Sequence, residues 1–151
     1  MRNTARTAIA VSALGLGAAV LPAAVSAPAQ GATTQLCSFT YANPNLFVIQ
    51  ASSAASATQI GSDTVTFTLK TNSMSLLGYQ QTFRVTWANL DTGKNGGGDV
   101  RKRVVGSANT LTVPNLKTGK GRIALVLAAA NTSSIGPGST NGDCGKELRV
   151  G

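Results

Sequence analysis

Polar and apolar residues alternate with a period of two along several short stretches of this chain. Across residues 64–70, Val65, Phe67 and Leu69 fall on one side and Thr64, Thr66 and Thr68 on the other. Across residues 82–90, Phe83, Val85 and Trp87 point one way and Arg84 and Thr86 the other. Alternation rich in Thr, Val and aromatics predicts half-buried β-strands. Leu111 and Val113 predict a third strand. It is closed by Pro114, which cannot donate to a ladder and so belongs at a strand end or on an edge. In residues 122–130, Ile123, Leu125 and Leu127 alternate with Ala124, Val126 and Ala128, so both faces are apolar and one is small. Ile123, Val126 and Ala130 also suit helical spacing. The strand is preferred because Gly119 and Gly121 precede the run and Asn131-Thr132-Ser133 follow it at strand length. Residues 36–41, 46–51, 100–105 and 146–150 are further strand candidates. Seven to eight short strands, separated by turn residues at regular spacing, predict an all-β antiparallel sandwich.

The one long apolar run, Ala8 to Val25, lies at the start of the chain, behind Arg2 and Arg6. Ser26-Ala27-Pro28-Ala29 follows it. A charged start, an apolar middle and a small-residue end predict a cleaved secretory signal peptide over residues 1–29 and a single β-sandwich domain over residues 30–151. Cleavage after Ala27 or Ala32 is the alternative. An uncleaved anchor is disfavoured because Gly15, Gly17 and Pro22 interrupt a run that is short for a membrane span. Cys37 follows Thr34-Gln35-Leu36 and lacks the small residue that a lipid-modification site wants just before it. The expected location is therefore secreted or at the cell envelope, with no membrane anchor on the processed chain. The Ala- and Gly-rich leader suggests a bacterial source. In such a compartment disulfides persist. Cys37 and Cys144 are the only cysteines, far apart and without a C-x-x-C arrangement, and they predict a structural bridge rather than a redox pair.

Residues 109–131, NTLTVPNLKTGKGRIALVLAAAN, resemble the late strand, corner and strand of immunoglobulin-like and fibronectin type III-like domains. There a strand ends near Leu, a Gly-containing corner follows, and an alternating strand runs on to Asn. The resemblance implies an immunoglobulin-like antiparallel β-sandwich, with Trp87 in the third strand, where immunoglobulin domains keep a core tryptophan. Arg122 and Ile123 stand where the corner tyrosine often sits. The usual inter-sheet cysteine pair is missing, since Cys37 and Cys144 lie near the ends. The resemblance implies a fold and no function.

Composition removes several chemistries. The chain has no histidine, which excludes Ser-His-Asp and Cys-His catalysis and His-ligated zinc. Two cysteines cannot build a four-thiolate site, and five carboxylates leave little for paired acid–base work. A Ser–Lys hydrolase lacks its S-x-x-K motif. No cofactor is expected. After Ala29 the chain carries eleven basic and five acidic residues, a net charge of +6 on a surface dominated by Gly, Thr, Ser and Asn. This is no dense nucleic-acid footprint, and no aromatics interleave with the basic residues. Residues 91–99, DTGKNGGGD, close no phosphate loop and match no EF-hand, although Asp91, Asn95 and Asp99 offer oxygens. They read as a long hairpin loop with positive φ at Asn95-Gly96.

Arg101-Lys102-Arg103 is the one charge cluster. In a strand Arg101 and Arg103 share a face and Lys102 takes the other, the pattern of an edge strand whose charges deter edge-to-edge pairing. The alternative is a site for an anionic partner (teichoic acid, an acidic glycan, lipid head groups or nucleic acid) or for an extracellular protein, widened by Lys94, Lys117, Lys120 and Arg122 if the corner lies nearby. Met74, Leu76, Leu77 and Tyr79 are apolar in a connecting segment, and either cap the core or mark a partner surface. Asn131-Thr132-Ser133 matches a glycosylation sequon, and residues 133–143 read as a flexible loop. The expected function is a secreted non-enzymatic module that binds a partner. The alternative is an antibacterial effector or an inhibitor of an extracellular enzyme.

Overall fold

The computed structural model describes residues 30–151, and the expected signal peptide lies outside the described residues. These residues form eight strands: β1 (Gln30–Ala42), β2 (Gln50–Ile60), β3 (Thr64–Asn72), β4 (Tyr79–Asn89), β5 (Asn95–Val104), β6 (Asn109–Lys117), β7 (Gly121–Ser133) and β8 (Ser139–Val150). They make two four-stranded antiparallel sheets, ordered β1-β2-β3-β6 and β5-β4-β7-β8. The expected all-β sandwich is present. No helix of the described residues is long and apolar enough to cross a membrane.

The alternation read from the sequence sets which face is buried. Val65, Phe67 and Leu69 of β3 meet Phe83, Val85 and Trp87 of β4 and Ile123, Leu125 and Leu127 of β7 in one core. Residues 122–130 are a strand, and the small outer side chains Ala124 and Ala128 lie level with Glu147 and Asp143 of β8. Pro114 sits on the edge strand β6 beside a register shift against β3, with Asn115 at φ 53° and its N–H donated to Thr66 Oγ1 at 3.1 Å. A bulge on an edge is where a missing N–H costs least.

Three expectations change. The strand placed at residues 46–51 begins only at Gln50, and Leu46, Phe47 and Val48 stand exposed in the preceding loop. The real strand is the Ser/Ala run of β2, which buries Ala51, Ser53, Ala55 and Ala57. The loop at residues 91–99 is a short turn, with positive φ at Gly93, and Asn95-Gly96 belongs to β5. Gly96 pairs with Trp87, and a Cβ there would lie 2.9 Å from Trp87 Cζ2. A Cβ on Gly98 would lie 2.8 Å from Val113 Cγ1. The glycines let β5 lie against the indole and against β6. Finally, β8 begins at Ser139, so the loop after β7 is shorter than expected and Cys144 lies inside the last strand.

Cys37 and Cys144 form a disulfide with Cα atoms 6.5 Å apart. It joins β1 of one sheet to β8 of the other. Deeper in the core a ring of polar side chains also crosses between the sheets. Thr71 donates to Gln81 Oε1 at 2.7 Å, so Ser53 must donate to Thr71 (2.7 Å) and Tyr41 to Ser53 (2.8 Å). Gln81 Nε2 closes the ring by donating to Tyr41 at 2.7 Å, and its second hydrogen goes to Asn131 Oδ1 at 2.8 Å. Every donor points the same way round, an arrangement in which each bond polarises the next.

Tyr79 lies beside this ring, fully buried, its hydroxyl 3.5 Å from that of Tyr41. Burial, then the Tyr41 hydroxyl, push its pKa far above the ordinary phenol range. A raised folded pKa means stability is intact below the unfolded value of about 10 and falls above it, by about 1.4 kcal/mol per pH unit. Tyr79→Phe is expected to keep the neutral-pH denaturation midpoint nearly unchanged and to flatten this alkaline decline. Equal alkaline slopes in urea titrations of the two proteins would exclude Tyr79 as its source.

Candidate functional site: a basic edge and a polar trough

The basic tripeptide lies on β5, an edge strand, as its charge pattern predicts. Arg101 and Arg103 project outward, level with Thr82 and Gln80 of β4. Arg103 donates to the carbonyl of Leu77. Lys102 takes the inner side but stays exposed, because it stands in the cleft between the sheet edges. Its Nζ donates to the carbonyl of Thr110 on β6 at 3.2 Å. This bond ties the basic end of the strand to the other sheet.

The expected enlargement of the cluster by the corner residues does not occur. Lys117, at the end of β6, pairs with Thr64, and Arg122 pairs with Arg149. Lys94, Lys117, Lys120 and Arg122 lie toward the Asn89 end of β4, while Arg101 is level with Thr82. Seven strand residues separate these levels, about 23 Å at the usual rise. Arg122 is engaged at its own end: its N–H and Nε donate to Asp91 at 2.9 and 3.1 Å. Those two bonds, with Arg149 nearby, hold the Asp91 carboxyl below its usual pKa. Buried Asn89 fixes the same corner, donating to the carbonyls of Thr118 and Lys120 and accepting from the N–H groups of Asp91 and Thr92. Asp91 therefore does not join Asn95 and Asp99 around a cation, and no group of three potential ligands occurs among the described residues.

A feature not foreseen from the sequence adjoins the basic strand. The outer face of the β1-β2-β3-β6 sheet holds an open trough of about 780 Å³. Its floor is built from outward side chains in cross-strand rows: Ser38, Lys70 and Thr110 in one, Thr40, Ser52 and Asn72 in the next. Ser107 and Ala108 of the β5–β6 turn contribute to its wall. Thr110 links the parts, since its side chain lies in the trough row while its carbonyl holds Lys102. The trough thus carries Lys70 in its floor, among hydroxyls and the amides of Asn72 and Asn109, while Lys102 reaches the Thr110 carbonyl from β5. Such a surface can neutralise an acidic group and hydrogen-bond the polyol around it. The only sequence trace was the polar face of the Thr64–Asn72 strand, interrupted by Lys70.

The sequon asparagine is buried, and its amide is spent on Gln81 and Thr140, so the folded chain does not present it for modification. Of the apolar residues expected in the connecting segment, Tyr79 opens β4 and enters the core, while Met74, Leu76 and Leu77 remain exposed in the loop before it. Comparisons with known protein families, with curated protein sequences and with solved structures find no match to this chain.

Proposed function

We propose that this is a secreted, non-enzymatic β-sandwich module that binds an anionic polymer of the cell envelope along the trough and the adjoining β5 edge. The observation that carries the reading is a hydroxyl-lined depression with Lys70 in its floor, beside Thr110, whose carbonyl holds Lys102 of the neighbouring β5 edge. A polymer of polyols joined by phosphates, or a glycan with carboxylates, offers the matching anions and hydroxyls. The Cys37–Cys144 bridge suits an oxidising compartment. The non-enzymatic part is supported by Lys70 itself: it lies beside serines but is exposed, and a lysine that activates a serine needs desolvation. The strand orders also favour an immunoglobulin-like arrangement. With β2 as its first strand, β2-β3-β6 and β5-β4-β7-β8 follow the usual order, Trp87 falls on its third strand, and β1 is an addition at the edge.

Polyglycerol phosphate provides the test. Residues 30–151, which hold all eight strands, should bind it with an affinity that falls as salt is raised, because exposed charges are screened within about 8–10 Å at physiological ionic strength. Lys70→Gln with Lys102→Gln should weaken binding roughly 10-fold and flatten the salt dependence, while the thermal midpoint stays put. Salt-independent binding, or unchanged binding by the double variant, would refute the trough as the site.

A further inference from the structure

The two ends of the sandwich differ in kind. At the end where β1, β3, β5 and β7 finish, four loops meet: residues 43–49, 73–78, 105–108 and 134–138. They expose Phe47 and Val48 in the first, Leu76 and Leu77 in the second, Val105 in the third and Ile135 in the fourth. Val48 is 92% exposed and Leu76 96%. The turns at the opposite end are built mainly from Gly, Ser, Asp, Thr and Lys.

This exposure is built into the fold. Asn43, fully buried, donates to the carbonyls of Ser73 and Met74 at 3.1 and 3.2 Å. Asn45 donates to the Gly78 carbonyl at 2.7 Å and accepts from the Ser133 hydroxyl at 2.8 Å and the Ser134 N–H at 3.1 Å. Two asparagines thereby stitch three of the loops together and fix their apolar tips outward.

Charge is arranged to match. Asp63 and Asp91 lie in turns of the far end, Asp99 and Asp143 sit at mid-strand level with Arg84 and Ala128, and Glu147 lies beyond them. No carboxylate therefore flanks the apolar tips among the described residues. The charged side chains nearest to them on the outer face of the β5-β4-β7-β8 sheet are Arg103 and Arg101, and Arg103 holds the carbonyl of Leu77 between them.

We infer that this end docks on a lipid bilayer bearing anionic headgroups, with the loop tips entering the interface and Arg101 and Arg103 pairing with headgroup phosphates. Separate protruding tips suit a fluid surface, and apolar insertion reinforced by basic residues is how proteins bind anionic interfaces. A second copy of the chain fits poorly. Two-fold pairing of identical patches sets the same arginines against each other with no carboxylate to receive them.

The loop tips lie apart from the polymer-binding trough, and only the β5 edge is common to both, so the tip variant below separates the two readings. Residues 30–151, with the disulfide intact, are sedimented with phosphatidylcholine vesicles and with vesicles that also contain phosphatidylglycerol. Binding should favour the anionic vesicles. Arg101→Gln with Arg103→Gln should lower it roughly 25-fold, about fivefold per charge, and abolish the lipid preference. Val48→Ser with Leu76→Ser should lower it at least about 10-fold and leave polyglycerol phosphate binding intact. Both pairs are exposed, so thermal midpoints should match the parent's. The inference is overturned if the parent fails to sediment with anionic vesicles at low salt, or if the serine variant binds them equally well. It is also overturned if the parent is a dimer that the serine variant abolishes, or if the end captures an acidic protein while ignoring vesicles.

Discussion

Reduction of the Cys37–Cys144 bridge, or its replacement by serines, is expected to lower the unfolding free energy by about 4–5 kcal/mol. The two cysteines are 107 residues apart. Without the bridge the unfolded chain regains the freedom of that whole loop, worth about 4.7 kcal/mol in the chain-entropy view. Small domains have only about 5–15 kcal/mol in total, so the reduced protein should sit near the edge of folding at physiological temperature. Urea titration with and without reductant measures the difference. A shift below about 1 kcal/mol would mean that the unfolded chain stays compact without the bridge.

Trp87→Ala is expected to cost about 3–5 kcal/mol. The indole is 8% exposed and lies across the backbone of Gly96, between β5 and Leu125 of β7. Glycine has no side chain to collapse into the space, so the cavity would stay largely open. The loss should appear as a lower denaturation midpoint with little change in the slope of the transition. An unchanged midpoint would put the ring outside the core, where it would be free to stack on a ligand.

Where large apolar residues alternate with threonine, the strands could be read directly, as in Val65-Thr66-Phe67 and Phe83-Arg84-Val85. The same rule misplaced the second strand. It took Leu46, Phe47 and Val48 into a strand because they are apolar, although three consecutive apolar residues have no preferred face. It stopped at Ala51 and passed over Ser53, Ala55 and Ala57 because small side chains give almost no hydrophobic contrast. The glycines 96–98 read as a turn because glycine is a turn residue. Here they are strand because Trp87 and Val113 occupy the space a Cβ needs. The basic cluster was legible since its three members are consecutive. The trough was not, because each of four strands supplies only a few of its residues and pairing alone brings them together. Nor does spacing reveal that Lys117, Lys120 and Arg122 face the opposite end.

The polar ring has a consequence for how many structures this chain can adopt. Apolar alternation alone tolerates sliding one sheet over the other by two residues, since valine and leucine would still meet valine and leucine. Gln81 does not tolerate it. Its two amide hydrogens and its oxygen find Tyr41, Asn131 and Thr71 in one alignment only, and any slip leaves at least one of them stranded in an apolar medium. The direction of the ring is fixed as well: turning the Gln81 amide over would aim its oxygen at the Asn131 oxygen, whose own amide nitrogen is committed to Thr140. The ring acts as a key that admits a single mating of the two sheets, and it excludes the near-equivalent packings that a purely hydrophobic interface would allow.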